Sequence, residues 1–221
     1  MYLKKIPDWV RRLFPDFLWK TDEAGEVLYL TFDDGPTPGI TPWVLDQLDQ
    51  YDAKATFFLV GRHVTAHPEI VHDILDQGHS IGNHTHSHLN GWKTEHKSYL
   101  RDFLRARQAI AEYTGHRTRL FRPPYGRITR AAAEVISRTH RIVMMDVIAG
   151  DFDARLKPET VLNHVLLNAG PGSIVLLHDS EKAFPRLREA LPRILDHYAG
   201  LGYRFAALPM RVRETAPALV Y

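Results

Sequence analysis

The stretch VLYLTFDDGP, Val27 to Pro36, joins a run of strand-forming residues to two carboxylates and a turn. Val27 to Phe32 is rich in apolar and β-favouring side chains, which indicates a strand. Asp33 and Asp34 follow at once, and Gly35-Pro36 supplies a turn that could aim both acids into one pocket. This stretch therefore predicts a strand whose carboxyl end presents two acids.

The alternation of strand and helix continues through the rest of the chain. Further strand-like runs lie at 54–60, 79–82, 118–121, 141–147, 173–178 and 203–208, with helix-like runs near 41–51, 67–78, 99–113, 128–139, 158–169 and 184–198. Pro68 suits a first helical turn and Gly78 a helix end. About seven strand-helix units indicate a parallel sheet with crossover helices, either open and doubly wound or closed as a (β/α) barrel. No linker divides residues 27–221, so we expect one α/β domain after an N-terminal segment, 1–26.

Composition narrows the classes of function. With 221 residues, 44% of them hydrophobic, the chain can bury a substantial core. A formal charge of +2 gives no sign of a nucleic-acid partner. Because the chain has no cysteine, any metal must be held by histidine and carboxylate.

The N-terminal segment, MYLKKIPDWVRRLFPDFLWK, carries basic and aromatic residues but lacks the uninterrupted apolar run of a signal peptide. Pro7 and Pro15 interrupt any long helix, which favours packing on the domain over contact with a membrane surface. Nothing later in the chain is predicted to span a bilayer. The sequence alone therefore predicts a cytoplasmic location by default and no integral membrane segment.

Three histidines stand at alternate positions in GNHTHSHLNGW, residues 82–92. In an extended strand His84, His86 and His88 would share one face, whereas in a helical turn only the first and third would. The turn formers Asn83 and Asn90 around them predict a loop entering a single helical turn. That spacing favours His84 and His88 as a pair of ligands.

Residues able to do chemistry gather where the predicted strands end. These are Asp33, Asp34, His84, His88, Arg122, Tyr125, Asp151 and His178. Parallel α/β folds build their active sites on that face, so we expect the eight to converge. Two neutral imidazoles and one carboxylate would leave an open metal position, as catalytic zinc sites do. The spacing alone does not decide whether Asp33 or Asp34 is the ligand.

The motifs TFDDGP, HTHSH, FRPPYG, GDFD and LLHDS, in this order, resemble those of the NodB-type polysaccharide deacetylases, carbohydrate esterase family four. The resemblance runs from about Leu28 to His178. It implies a distorted (β/α) barrel and an enzyme, a metal-dependent hydrolase that removes acetyl groups from N-acetylated amino sugars. It also implies a role in carbohydrate metabolism and points to the cell envelope.

The resemblance also assigns roles, position by position. Asp33 resembles the catalytic base and His178 the catalytic acid, while the metal ligands would be Asp34, His84 and His88. Arg122 resembles the arginine that orients the base, Tyr125 the residue whose amide helps hold the oxyanion, Asp151 the partner of the acid, and Leu176 the residue that receives the acetyl methyl. Trp92 and Tyr125 are further candidates for stacking on a sugar ring.

The chain departs from the family pattern in the GDFD motif. Phe152 stands where the family usually has tryptophan, which removes an indole N–H but keeps a ring. Spacing in this motif also allows Asp146 as a competitor of Asp151. His86 falls at a position that varies in the family pattern.

The expected cofactor is one divalent metal ion, with zinc favoured and cobalt, nickel or manganese as alternatives. The expected partner is an amino-sugar polymer or oligomer, peptidoglycan-like or chitin-like. Two alternatives stay open at this point: an amidase for a small linear or cyclic amide, and a non-catalytic carbohydrate-binding relative. The sequence does not indicate the oligomeric state.

Overall fold

Eight short strands form one curled sheet in the computed structural model, which describes residues 3–22 and 25–209. The strands are Val27–Asp33 (β1), Thr56–Leu59 (β2), Ser80–Asn83 (β3), Leu120–Phe121 (β4), Arg141–Ile142 (β5), Val147–Ile148 (β6), Ile174–His178 (β7) and Arg204–Phe205 (β8). Their order is β5-β4-β3-β2-β1-β7-β6, and β8 pairs with the beginning of β1. Every pairing between these strands is parallel, which confirms the predicted βα architecture.

The two outer strands of this order, β5 and β6, come from one extended stretch, 141–148. Its first part pairs with β4 and its last part with β7, so the stretch links both ends of the sheet and curls it into a distorted barrel. The prediction of a single strand over 141–147 was wrong in this respect. The strand is interrupted because the N-terminal segment takes over its hydrogen bonds: Leu18 N donates to Ile142 O, and Met144 N donates to Leu18 O.

Helices cross between the strands and cover the sheet. They are Asp8–Leu13 (α1), Ile40–Asp49 (α2), Gly61–Ala66 (α3), Pro68–Asp76 (α4), His96–Thr114 (α5), Arg130–Ser137 (α6), Pro158–Leu166 (α7) and Phe184–Gly200 (α8). As predicted, α4 begins at Pro68, and Gly78 follows its end with φ +79°. The short helix α3 was not predicted from the sequence. The Glu95 side chain caps α5 by accepting hydrogen bonds from Lys97 N and Ser98 N.

The central strand β1 shows how the sheet positions polar groups. All seven of its residues are buried. Leu28, Leu30 and Phe32 belong to the main core cluster beneath the helices. Because side chains alternate along a strand, Thr31 and Asp33 point to the other side, into the barrel. The last of these inward positions lies at the carboxyl end of the strand, where the predicted active site begins.

The N-terminal segment closes the side of the barrel where the sheet is interrupted. Ile6 N donates to Asp146 O, and Ile148 N donates to Lys4 O. Arg11 on α1 forms an ion pair of 2.8 Å with Asp146, whose side chain is fully buried. Ser173 Oγ donates to the second oxygen of the same carboxylate at 2.5 Å. The segment thus completes a buried polar network.

Replacing Arg11 by methionine should lower the free energy of unfolding by about 1–3 kcal/mol, because it removes a charged donor from a buried carboxylate. Urea denaturation followed by circular dichroism would measure the change. Arg12→Met is the matched control, since Arg12 is exposed on the same helix. Equal losses in both variants would show that the Asp146 contact does not matter.

No helix within residues 3–22 and 25–209 combines the length and hydropathy needed to cross a membrane.

Candidate active site

A buried ion pair anchors the carboxyl end of β1. Asp33 is 4% exposed, and its Oδ1 accepts a hydrogen bond of 2.8 Å from Arg122 Nη1. The same nitrogen donates to Thr31 Oγ1 at 2.7 Å, and Nη2 donates to Met144 O at 2.8 Å. The fully buried guanidinium is therefore held from several sides, and it fixes one face of the Asp33 carboxylate.

Asp34, His84 and His88 form a group with the geometry of a metal site. Ligand atoms from the three residues all lie within 4.8 Å of one another. Asp34 Oδ1 is 3.1 Å from His88 Nε2 and 3.8 Å from His84 Nε2. Among the residues that the structure describes, this is the only cluster of three or more histidine and acidic side chains with such spacing.

The protonation and hydrogen bonding of these groups suit the binding of a cation. His84 Nδ1 lies 2.7 Å from Arg122 O, which fixes that nitrogen as the donor and leaves Nε2 free to bind. Burial lowers the pKa of His84 to about 4, so the ring is neutral at neutral pH. Asp34 Oδ1 is buried. This oxygen accepts no hydrogen bond of good geometry, although His88 is near. Two imidazoles and a carboxylate oxygen lacking a partner suit a divalent metal.

Electrostatics keep Asp34 ionised. Burial alone would raise the pKa of this carboxyl. The contact with His88 and the charges of His178, His84 and His88 outweigh burial and hold the pKa of Asp34 well below its usual range.

The histidine loop reaches this geometry by a route that differs from the prediction. No helical turn forms between β3 and residue 90, so the expectation of a helical turn was wrong. Instead Thr85 and His88 adopt left-handed backbone conformations, with φ of 61° and 57°. The loop curls until the His84 and His88 rings lie 5.1 Å apart. His86 is buried elsewhere, against the start of α3 near Gly61.

Backbone strain concentrates around this site. Five non-glycine residues of the described ranges have positive φ, and four of them, Asp34, Thr85, His88 and Tyr125, belong to the site. Each such conformation costs roughly 1–3 kcal/mol and persists only where the surroundings enforce it. Such clustering is typical of functional sites.

His178, at the end of β7, is coupled to Asp151. Its Nδ1 lies 2.9 Å from Asp151 Oδ1, and its backbone N–H donates to Asp151 Oδ2 at 2.7 Å. Burial would lower the pKa of His178, but the Asp151 charge and hydrogen bond, helped by Asp34 and Asp33, raise the pKa to about 9. Asp146 bonds to Arg11 and Ser173 instead, so of the two competing aspartates only Asp151 contacts the histidine.

One cavity of about 790 Å³ brings these residues together. Its walls include Asp33, Asp34, His84, His88, Tyr125, Phe152, Leu176 and His178. Tyr125 is 63% exposed, and its ring meets His88 edge-on at 4.7 Å. Phe152 meets the His178 ring in the same way at 5.2 Å. Trp92 does not line the cavity, and its Nε1 donates to Ile128 O. The structure therefore gathers the sequence-predicted residues except Trp92, while Arg122 and Asp151 stand directly behind the wall.

Sequence reasoning missed several residues that support the site. Asp179 is fully buried and accepts hydrogen bonds from Gly35 N at 3.0 Å and Thr41 Oγ1 at 2.5 Å, which holds the turn after Asp34. Burial raises the pKa of Asp179 to about 8. His63 Nδ1 lies 2.8 Å from the backbone oxygen of Asp34. The only available signal was that Asp179 follows His178 directly, and that adjacency carries no role by itself.

The chain is similar to known proteins over most of its length. The polysaccharide deacetylase family profile matches residues 20–141. A peptidoglycan-N-acetylglucosamine deacetylase of Bacillus cereus is 36% identical over 197 residues, 88% of this chain and 92% of the relative. A chitooligosaccharide deacetylase of Azorhizobium caulinodans is 37% identical over 154 residues, 69% of this chain and 73% of the relative.

Similarity extends to solved structures. A crystal structure of a peptidoglycan N-acetylglucosamine deacetylase matches with a TM-score of 0.84 and 32% sequence identity, covering 91% of this chain and 94% of that one. The match therefore extends over nearly the whole fold.

Proposed function

We propose that this chain, which belongs to the polysaccharide deacetylase family, removes N-acetyl groups from an amino-sugar polymer or oligomer. The relatives act on peptidoglycan and on chitooligosaccharides by name, and both substrates are built on N-acetylated amino sugars. One observation carries the proposal. A single cavity is lined by the Asp34, His84 and His88 cluster, by Asp33 and by His178. Arg122 holds the Asp33 carboxylate, and Asp151 holds the His178 ring.

Asp34, His84 and His88 would hold the metal, with zinc as the proposed ion and cobalt, nickel and manganese as the ions to compare. Zinc suits a set of two imidazoles and one carboxylate that leaves a position open. When bound, a divalent cation supplies a Lewis acid for the acetamide carbonyl and makes water more acidic.

Asp33 is the proposed general base. Its Oδ1 is occupied by Arg122, while its Oδ2 lies 3.7 Å from His84 Nε2, beside the metal group. The arginine therefore fixes the carboxylate so that its second oxygen can take a proton from water. A positioned base of this kind contributes on the order of 10²–10⁴-fold in rate.

His178 is the proposed general acid, which donates a proton to the departing amine. The pKa of about 9 keeps its ring protonated at neutral pH. Leu176 and Phe152 line the same cavity and offer an apolar surface for the acetyl methyl. The Tyr125 amide is the proposed oxyanion donor, and Trp92 stays a prediction for contact with more distant sugars.

The pH dependence tests the acid. A general acid must be protonated, so kcat/KM of the zinc-loaded enzyme should fall as pH rises through the pKa of His178, which the Asp151 charge and hydrogen bond raise above the usual imidazole value. Asp151→Asn removes the charge that raises the His178 pKa, so this decline should move to lower pH by about 1–3 units. Asp153→Asn, in the same loop but paired with Arg155, should leave it in place. If kcat/KM of Asp151→Asn declines at the same pH as that of the unchanged protein, His178 is not the acid.

A substrate screen tests the proposed function. The zinc-loaded protein would be incubated with N-acetylglucosamine oligomers, peptidoglycan fragments and small acetamides, and released acetate would be measured. We expect release from at least one class of glycan and little from the small amides. Release confined to small amides would contradict the proposal and restore the amidase alternative, which the named relatives do not favour. No release from any substrate would favour a non-catalytic relative.

A further inference from the structure

The loop that carries His84 and His88 is tied to α5 by one carboxylate. The backbone N–H groups of His86 and Ser87 both donate to Asp102 Oδ2, each at 2.9 Å. Asp102 lies on α5 and points to the back of the loop, away from the cavity walls. It therefore contacts the segment between the two histidines without touching either ring.

The first half of the loop has further anchors. Asn83 Oδ1 accepts from Thr85 N at 2.8 Å, and Asn83 Nδ2 donates to Phe103 O at 3.0 Å. Gly61 N, at the start of α3, donates to Thr85 O at 2.9 Å. His84 itself is fixed by its backbone bond to Leu59 O and by its ring contact with Arg122 O.

The second half of the loop has fewer anchors. In the described part of the chain, no hydrogen-bond partner holds the Nδ1 of His88, and its side chain is 22% exposed. His88 also sits in a left-handed conformation, with φ 57°. Such a conformation for a non-glycine residue needs support from its surroundings. Two bonds flank His88 along the chain: Ser87 N donates to Asp102 Oδ2 at 2.9 Å, and Leu89 N donates to Thr85 Oγ1 at the longer distance of 3.3 Å.

We propose that Asp102 is a positioning residue of the metal site, which holds the loop in the form that aims His88 at Asp34 and His84. This inference rests on the proposed function, since it assumes that these three residues bind the metal. Asp102 accepts hydrogen bonds from the backbone, so the presence of an acceptor oxygen at this position matters more than its negative charge.

Removing the acceptor should weaken zinc binding. Loss of a partner behind a metal ligand typically lowers metal affinity about 10–100-fold, and we expect about tenfold for Asp102→Ala. The dissociation constant for Zn²⁺ alone would be measured by competition with a chromophoric chelator, which requires no substrate. At saturating zinc, KM for the glycan should stay close to that of the unchanged protein.

Two variants separate positioning from charge. Asp102→Asn keeps an acceptor oxygen, so its zinc affinity should stay within about threefold of the unchanged protein, well short of the 10–100-fold change expected for a lost partner. Glu112→Ala removes an exposed carboxylate from the same helix and should have no effect. Equal weakening in Asp102→Asn and Asp102→Ala would show a charge effect and overturn the proposal. So would native affinity in Asp102→Ala.

The unchanged protein offers a test that requires no variant to fold. In metal-free protein, the amides of His86 and Ser87 should exchange with deuterium more slowly than that of Trp92, whose acceptor is the side chain of Asn90 on an exposed turn. Rapid exchange at both amides would overturn the proposal. If the unchanged protein binds no zinc, the proposed function fails as well; if it binds zinc and Asp102→Ala binds equally well, only this inference fails.

Discussion

Replacing His84 or His88 by alanine should each remove most of the bound metal, whereas replacing His86 should leave the metal in place. His84 Nε2 and His88 Nε2 face the same carboxylate oxygen of Asp34, at 3.8 Å and 3.1 Å. His86 is 7% exposed and lies against Gly61, on the far side of the loop. Loss of a direct ligand should exceed the 10–100-fold effect of losing an outer partner, so we expect affinity to fall by more than about 100-fold.

Metal stoichiometry after dialysis, measured by mass spectrometry, would check this expectation. His86→Ala is the matched control, because it removes the same ring from the same loop. A modest change in its activity is compatible with the account, since the ring packs near α3. Loss of metal from His86→Ala with retention in His88→Ala would mean that the ligand assignment is wrong.

Asp33→Asn should remove at least 99% of the activity, since a general base contributes on the order of 10²–10⁴-fold, while leaving the metal content nearly unchanged. Asp34→Asn should instead lower the metal content itself. The structure supports this division because Asp33 is engaged by Arg122, whereas Asp34 Oδ1 faces the two imidazoles. Asparagine preserves the shape of both side chains, so packing changes little.

The two variants control for each other, since each neutralises one of two adjacent acids. Thermal denaturation should accompany both assays, because Asp33→Asn leaves the buried Arg122 without its carboxylate and is expected to lower stability by about 1–3 kcal/mol. Equal metal loss in both variants would show that the two carboxylates share the ion. Full activity in Asp33→Asn would exclude it as the base.

The sequence predicted the features that depend on local periodicity. Because side chains alternate along β1, Asp33 points into the barrel at the carboxyl end of this buried strand. Parallel strands bring their carboxyl ends to one face. Residues as distant as Asp34 and His178 could therefore be expected in one cavity, and both line it. The resemblance to the family, carried by five short motifs, is confirmed by the family match over residues 20–141 and by a relative that is 36% identical over 88% of the chain.

Features that depend on long-range contacts could not be predicted in this way. The strand at 141–147 is divided because Leu18 competes for its hydrogen bonds, and no local pattern records that competition. The histidine loop reaches its geometry through positive φ at Thr85 and His88, a conformation that is uncommon outside glycine and is an outlier for a β-branched residue such as Thr85. Two supports of the loop, Asp102 and the backbone oxygen of Phe103, come from α5, which begins eight residues after His88.

Acetate release before and after the return of zinc tests the central claim most directly. Protein dialysed against a strong chelator, and verified to be free of metal, would be incubated with N-acetylglucosamine oligomers or peptidoglycan fragments, with and without one equivalent of Zn²⁺. The account predicts no release from the metal-free protein and restored release once zinc is added, because the described site residues include no cysteine and offer two imidazoles and a carboxylate for the ion. Full release from the verified metal-free protein would contradict it.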